Sequence, residues 1–178
     1  MACIIAKSLE ASKDLIIEAG TGVGKTLAYL APGVLHALDK NKKLVVSTKT
    51  INLQEQIIDK DLPFLQGLLE FGFTSVLLKG RTNYLCPRRL KLALNNSRDL
   101  FEVDEFDQLE SIEDWAINTQ DGTLSDLDFT PSAKLWSQVC SESRLCTPRT
   151  CGKNSNCFYQ EARHDAISAD VVVVNHTL

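Results

Sequence analysis

Residues 18–26 read Glu-Ala-Gly-Thr-Gly-Val-Gly-Lys-Thr, directly after the apolar run Leu15-Ile16-Ile17 and directly before the helical pattern Leu27 to Leu38. Strand, glycine loop and helix in that order form the frame of a phosphate-binding loop. The strict template opens on Gly, and this chain fits its Ala/Gly form with Ala19 in the first place. Gly20, Gly22 and Gly24 are expected to take backbone angles that a side chain would oppose, so that N–H groups along Ala19, Gly20, Thr21, Gly22, Val23, Gly24, Lys25 and Thr26 line one concavity. A helix opening at Lys25 or Thr26 adds unsatisfied N–H groups and about half a positive charge. Lys25 would meet the outer phosphates of a nucleotide and the Thr26 hydroxyl would ligate Mg2+, which makes these two the candidate catalytic residues and ATP the candidate cofactor.

The rest of the chain suits this frame. Apolar strands at Leu44–Thr48 and near Thr74–Leu78 alternate with a helix from Ile51, in which Leu53, Ile57 and Ile58 share a face. Pro63 ends or bends that helix, and Pro32 lies inside the first one. The run Ala169 to Asn175 carries four consecutive valines, as a strand buried on both faces of a parallel sheet does. The fold class that follows is α/β, a P-loop nucleotide-binding parallel sheet flanked by helices. It is interrupted by residues 80–165, where no strong strand pattern occurs and helical patterns do, one of them through Phe101, Leu109, Ile112 and Trp115.

Net charge separates the two halves. Residues 1–98 carry +6 and residues 99–178 carry −10, with eleven carboxylates between Asp99 and Asp128 and no Lys or Arg among them. The basic half suits a partner that bears phosphates, and the acidic stretch reads as a solvated helix face. The longest apolar run, Met1 to Ala6, is far short of the ~20 residues of a membrane span. With no secretion signal, the reading is a cytoplasmic protein without membrane contact.

In a reducing compartment six cysteines point to metal rather than to disulfides. Cys86 stands alone, and sixty residues later Cys146, Cys151 and Cys157 follow in a Cys-x4-Cys-x5-Cys pattern. Four thiolates suit an iron-sulfur cubane, one to each iron. Zinc is the competitor, although zinc modules favour closer cysteine pairs. Arg144, Arg149 and Lys153 lie among these cysteines and would favour thiolates. Cys3 and Cys140 read as small buried hydrophobes, with Cys140 an alternative to Cys146 as ligand, and His164 reads as a surface residue.

The combination resembles the iron-sulfur helicases of superfamily 2, and within them the bacterial DinG/YoaA group more than the XPD group. The resemblance rests on residues 18–26, on Ser47-Thr48-Lys49-Thr50 with Leu53-Gln54-Glu55-Gln56, on Lys79 to Cys86, on the cysteine spacing and on Asp170 to His176. It implies a RecA-like motor domain in two pieces, residues 1–79 and 166–178, around an iron-sulfur domain at 80–165. It implies a [4Fe-4S] cluster on Cys86, Cys146, Cys151 and Cys157, and DNA contacts by Thr48, Lys49, Thr50, Gln54 and Gln56. Arg81 and Tyr84 stand open to two roles, contact with single-stranded DNA near the cluster or packing around it. The expected parent is an ATP-dependent 5′-to-3′ DNA helicase of DNA repair or replication, nucleoid-associated in the bacterial cytoplasm, acting on single-stranded and forked DNA, with protein partners unknown. The chain stops before a DEAH box and a second motor half, so it is expected to be a fragment, inactive by itself. The rival reading is a non-catalytic, zinc-stabilised nucleic-acid-binding module.

Overall fold

Apolar periodicity becomes two separate cores. The computed structural model describes residues 1–69, 72–96, 102–146, 151 and 156–176. The chain divides into one unit formed by Met1–Leu78 with Asp165–Thr177 and a second formed by Lys79–His164.

In the first unit, α1 (Ala2–Glu10) packs on α2 (Lys25–Asp39), which runs on through the buried Pro32. Helix α1 ends with Ser12 left-handed, the Lys13 N–H closing on Ser8 O. Helix α2 ends the same way: Asn41 has a φ of 49° and the Lys42 N–H reaches back to Ala37 O. Strand β1 (Leu44–Thr48) follows, then α3 (Ile51–Gln56), a π-helical turn (Ile57–Asp61), α4 (Leu62–Leu68) and β2 (Ser75–Leu78). The π turn has a cause in Pro63, at the start of α4. Its missing N–H and its ring exclude the ordinary bond to the carbonyl four residues back, and the preceding turn widens.

The sheet is parallel, in the order β1-β3-β2, with β3 (Val171–Asn175) in the middle. Val171 and Val173 enter the core built on Leu30, Val34, Ile57, Leu62 and Leu65, whereas Val172 packs with Ala166 and Ala169 on the opposite face. This two-faced burial accounts for the valine run. At the entrance to β3, Asp170 accepts from the N–H and hydroxyl of Thr74 at 2.7 and 2.8 Å, while its own N–H donates to the Thr74 hydroxyl. The Lys43 ammonium donates to the carbonyls of Ala166, Ile167 and Ala169 at the end of α8 (Phe158–Ser168), where a cation suits the helix dipole.

One expected strand does not form. Leu15–Ile17 has no ladder partner, and Ile16 is 98% exposed. Both sides of β3 are taken, by β1 and β2, and among the described residues the segment does not add to the outer edge of either.

The second unit is helical. Its elements are a 3-10 turn at Arg81–Asn83, α5 (Pro87–Asn95), α6 (Val103–Asn118) and α7 (Ala133–Val139). Isolated antiparallel bridges join Tyr84 to Thr123 and Leu85 to Cys140. Leu85, Leu90, Leu109, Ile112, Leu135 and Val139 form its core. Helix α6 begins with a capping box between Glu102 and Glu105, and Asp104, Asp107, Glu110, Glu113 and Asp114 are exposed, which makes the acidic stretch a solvated face. Phe101, Arg149 and Lys153 lie outside the described residues.

Candidate functional site

The glycine loop enters α2 at Lys25, with Gly24 as N-cap at φ 72°, Gly22 at φ 78° and no side chain capping the helix. An L-residue is strained at either angle, so these two glycines are what lets the chain turn its N–H groups toward one side. Gly20 differs from the expectation: its φ is not in the left-handed region, and a Cβ there would meet open space. The Lys25 ammonium folds back on the loop, donating to Ala19 O at 2.9 Å and Gly20 O at 2.5 Å. Beside it lies a cleft of about 680 Å³ lined by Leu9, Lys13, Leu15, Lys25, Thr26 and Tyr29. Burial raises the Tyr29 phenol above its usual pKa, against the opposing influence of its hydrogen bond with Thr26.

At the C-terminal ends of β1 and β3 the residues expected to meet DNA divide by burial. Lys49, Thr50 and Gln56 are exposed. Thr50 caps α3 by accepting the Leu53 N–H, and Gln56 donates to Asp61 at 3.0 Å. Thr48 is 4% exposed, with its hydroxyl donated to Thr50 O, and Gln54 is 1% exposed, with an amide nitrogen that has no partner. Neither buried side chain presents itself to a ligand. Lys49 and Thr50 lie past the C-terminal end of β1, the side of an open α/β sheet where ligands commonly bind.

In the second unit Cys86 and Cys146 meet, with Sγ atoms 3.7 Å apart and both residues buried. Burial pushes the Cys86 thiol up to about 11, and the neighbouring Cys146 and Cys151 add to the rise. At Cys146 burial also pushes upward, but the Glu142 N–H at 3.4 Å and the Ser141 hydroxyl favour the thiolate and bring it below the ordinary value. Cys157 is buried and Cys151 half-buried. Among the described residues no group of three or more His, Cys, Asp or Glu side chains is assembled to hold a metal ion.

Cys140 belongs to the helical core and not to this pair. Its sulfur faces Ser137 O and the Arg89 guanidinium, both at 3.9 Å. Arg81 donates to Cys146 O at 3.1 Å and lies 4.3 Å from the centroid of the Tyr159 ring. Tyr84, 2% exposed, sets its ring edge-on to Tyr159 and accepts the Lys79 N–H on its hydroxyl. Of the two roles open to Tyr84, its burial and its contact with Tyr159 are those of packing. His164 is exposed.

Three features escaped the sequence reading. Helix α1 was legible only as an apolar run, although Ile5 and Leu9 at helical spacing were its signal. Arg89, 8% exposed, donates to the Ser137 and Cys140 carbonyls and so closes the end of α7. Ser47 and His176 are joined at 2.6 Å across 129 residues.

A glycine loop with two left-handed glycines leading into a Lys-Thr helix start, on a parallel sheet flanked by helices, defines a P-loop α/β domain. Residues 2–116 match the DEAD/DEAH box helicase family. The chain belongs to that family. It is 38% identical over its whole length to the ATP-dependent DNA helicase YoaA of Escherichia coli K12, of which the alignment covers 27%. To the ATP-dependent helicase DinG of Mycobacterium tuberculosis H37Ra it is 37% identical, with 100% of this chain and 29% of the relative covered. Against the ATP-dependent DNA helicase DinG of Escherichia coli K12 the identity is 36%, over 98% and 26% respectively. The chain thus spans a little over a quarter of the length of these relatives. Among the described residues no helix is long and apolar enough to cross a membrane.

Proposed function

We propose that this chain is the nucleotide-binding part of an ATP-dependent DNA helicase motor that translocates 5′-to-3′ on single-stranded DNA and opens forked duplexes in the bacterial cytoplasm, at the nucleoid. The observation that carries the reading is the uncapped N-terminus of α2, entered through left-handed Gly22 and Gly24 and neighboured by Lys25 and Thr26. Backbone N–H groups and the helix dipole attract the phosphates there. Lys25 exchanges the Ala19 and Gly20 carbonyls for phosphate oxygens, and Thr26 turns its hydroxyl from Tyr29 to Mg2+. Lys49 and Thr50 meet the phosphates of the single strand, with Gln56 nearby on α3, and Arg81 is a separate candidate DNA contact within the helical unit. The test is ATP hydrolysis by the full-length parent with and without single-stranded DNA: stimulation supports the reading, and DNA-independent turnover removes it.

For the cysteines we propose a [4Fe-4S] cluster on Cys86, Cys146, Cys151 and Cys157. The paired, buried sulfurs of Cys86 and Cys146, with the Glu142 N–H directed at Cys146, suit a thiolate-bound metal. The group supplies cross-linking between segments sixty residues apart in a small helical unit. One observation favours zinc as a second reading. A separation of 3.7 Å is close to the edge, about 3.8 Å, of a tetrahedron with ~2.3 Å metal–sulfur bonds. Iron, acid-labile sulfide and zinc measured on anaerobically purified protein separate the two: iron with sulfide supports the cluster, and stoichiometric zinc without iron supports the other.

A further inference from the structure

We infer that Ser47 and His176 together are positioning residues for the single-strand-binding turn Thr48-Lys49-Thr50. The inference rests on the proposal that Lys49 and Thr50 meet DNA phosphates. Strands β1 and β3 lie side by side in parallel, with Ser47 opposite Val174 and Thr48 opposite Asn175. Past the last paired residue, three bonds from β3 land on three consecutive residues of β1 and its exit. The His176 imidazole Nδ1 meets Ser47 Oγ at 2.6 Å, the His176 N–H donates to Thr48 O at 2.9 Å, and Asn175 Nδ2 donates to Lys49 O at 3.4 Å.

The turn needs such a brace for a physical reason. Lys49 and Thr50 are exposed, and α3 behind them is only six residues long before it widens into the π turn. A helix that short holds its own start weakly. The Thr48 side chain is buried and bonded to Thr50 O, which fixes the inner side of the turn. The outer side is fixed by β3. Ser47 can donate to a neutral imidazole or accept from one that carries its proton on Nδ1, so the contact survives either charge state and is tested by substitution rather than by pH.

The experiment is single-stranded-DNA-stimulated ATP hydrolysis by the full-length parent, titrated with an oligothymidylate. S47A and H176A are each expected to raise the half-saturating DNA concentration about fivefold, the worth of one hydrogen bond, with the maximal rate within about twofold of wild type. The double variant is expected to be no worse than either single one, since both remove the same contact. H176N, which keeps a donor and an acceptor near Ser47, is expected to recover most of the loss even if H176A folds poorly. K49A is the control for the underlying reading. If K49A leaves half-saturation unchanged, the DNA-binding edge is wrong and the inference goes with it. A shift in K49A without one in S47A and H176A, or additive losses in the double variant, overturns the inference alone.

Discussion

The sulfurs of Cys86 and Cys146 lie 3.7 Å apart although sixty residues separate them in the chain. Cys86, whose N–H donates to Val139 O, ends the strand-like Tyr84-Leu85 segment, in which the Leu85 N–H donates to Gly122 O and the Tyr84 C=O accepts from the Ser141 N–H. The fold brings the pair together through backbone bonds made elsewhere. If Cys86 and Cys146 hold the proposed metal, removing either thiol is expected to empty the site, whereas removing Cys140, which packs in the helical core, is expected to leave it filled. Metal analysis of C86S, C146S and C140S checks this: loss in the first two and full content in the third are expected.

Gly122 is the point at which the helical unit tolerates no side chain. Its φ is +60°, and a Cβ would collide with the Phe158 ring. Gly122→Ala is expected to cost about 2 kcal/mol or more, from left-handed strain together with overpacking. Urea denaturation measures it. Gly20→Ala in the nucleotide loop, where φ is not left-handed and the space is open, is expected to leave stability within about 0.5 kcal/mol.

Asp170 gives the first unit a dependence on pH. Its pKa is held below the ordinary carboxylate value, first by the Thr74 N–H and then by the Thr74 hydroxyl. A depressed folded-state value means that the stabilisation is present above the unfolded pKa and is lost as pH falls through the folded one. Acid is therefore expected to weaken the entrance to β3. Asp170→Asn is expected to cost about 1 kcal/mol at neutral pH and to flatten the acid limb of the stability curve.

Gln54 contributes a buried amide with one nitrogen unpartnered, a cost of about 1–3 kcal/mol to the folded state. Gln54→Met keeps the length and removes the polar group. It is expected to match or exceed wild-type stability in thermal melts, and a large loss would show that the amide is needed.

Much of this was legible in the sequence. Four valines announced a strand buried on two faces, and Gly24 before Lys25 announced the start of a helix. What the sequence hid follows from contacts between distant segments. Leu15–Ile17 has the composition of a strand but joins no ladder, and composition does not say which sheet edge a segment takes. Gln54, Thr48 and Tyr84 are polar or amphipathic types whose motif position says nothing about which face they take, and packing turned all three inward. Nothing in the sequence singled out Arg89, whose guanidinium closes the end of α7. The meeting of Ser47 with His176 depends on the register of β1 against β3, which periodicity alone does not supply.

Lys25 tests the account most directly. Among the described residues its ammonium donates to the Ala19 and Gly20 carbonyls of its own loop, so Lys25→Ala removes the proposed phosphate contact without disturbing a core. In the full-length parent, single-stranded-DNA-stimulated ATP hydrolysis by Lys25→Ala is expected to fall at least about a hundredfold, with an unchanged melting temperature. Turnover within about threefold of wild type would contradict the nucleotide site and the motor built upon it.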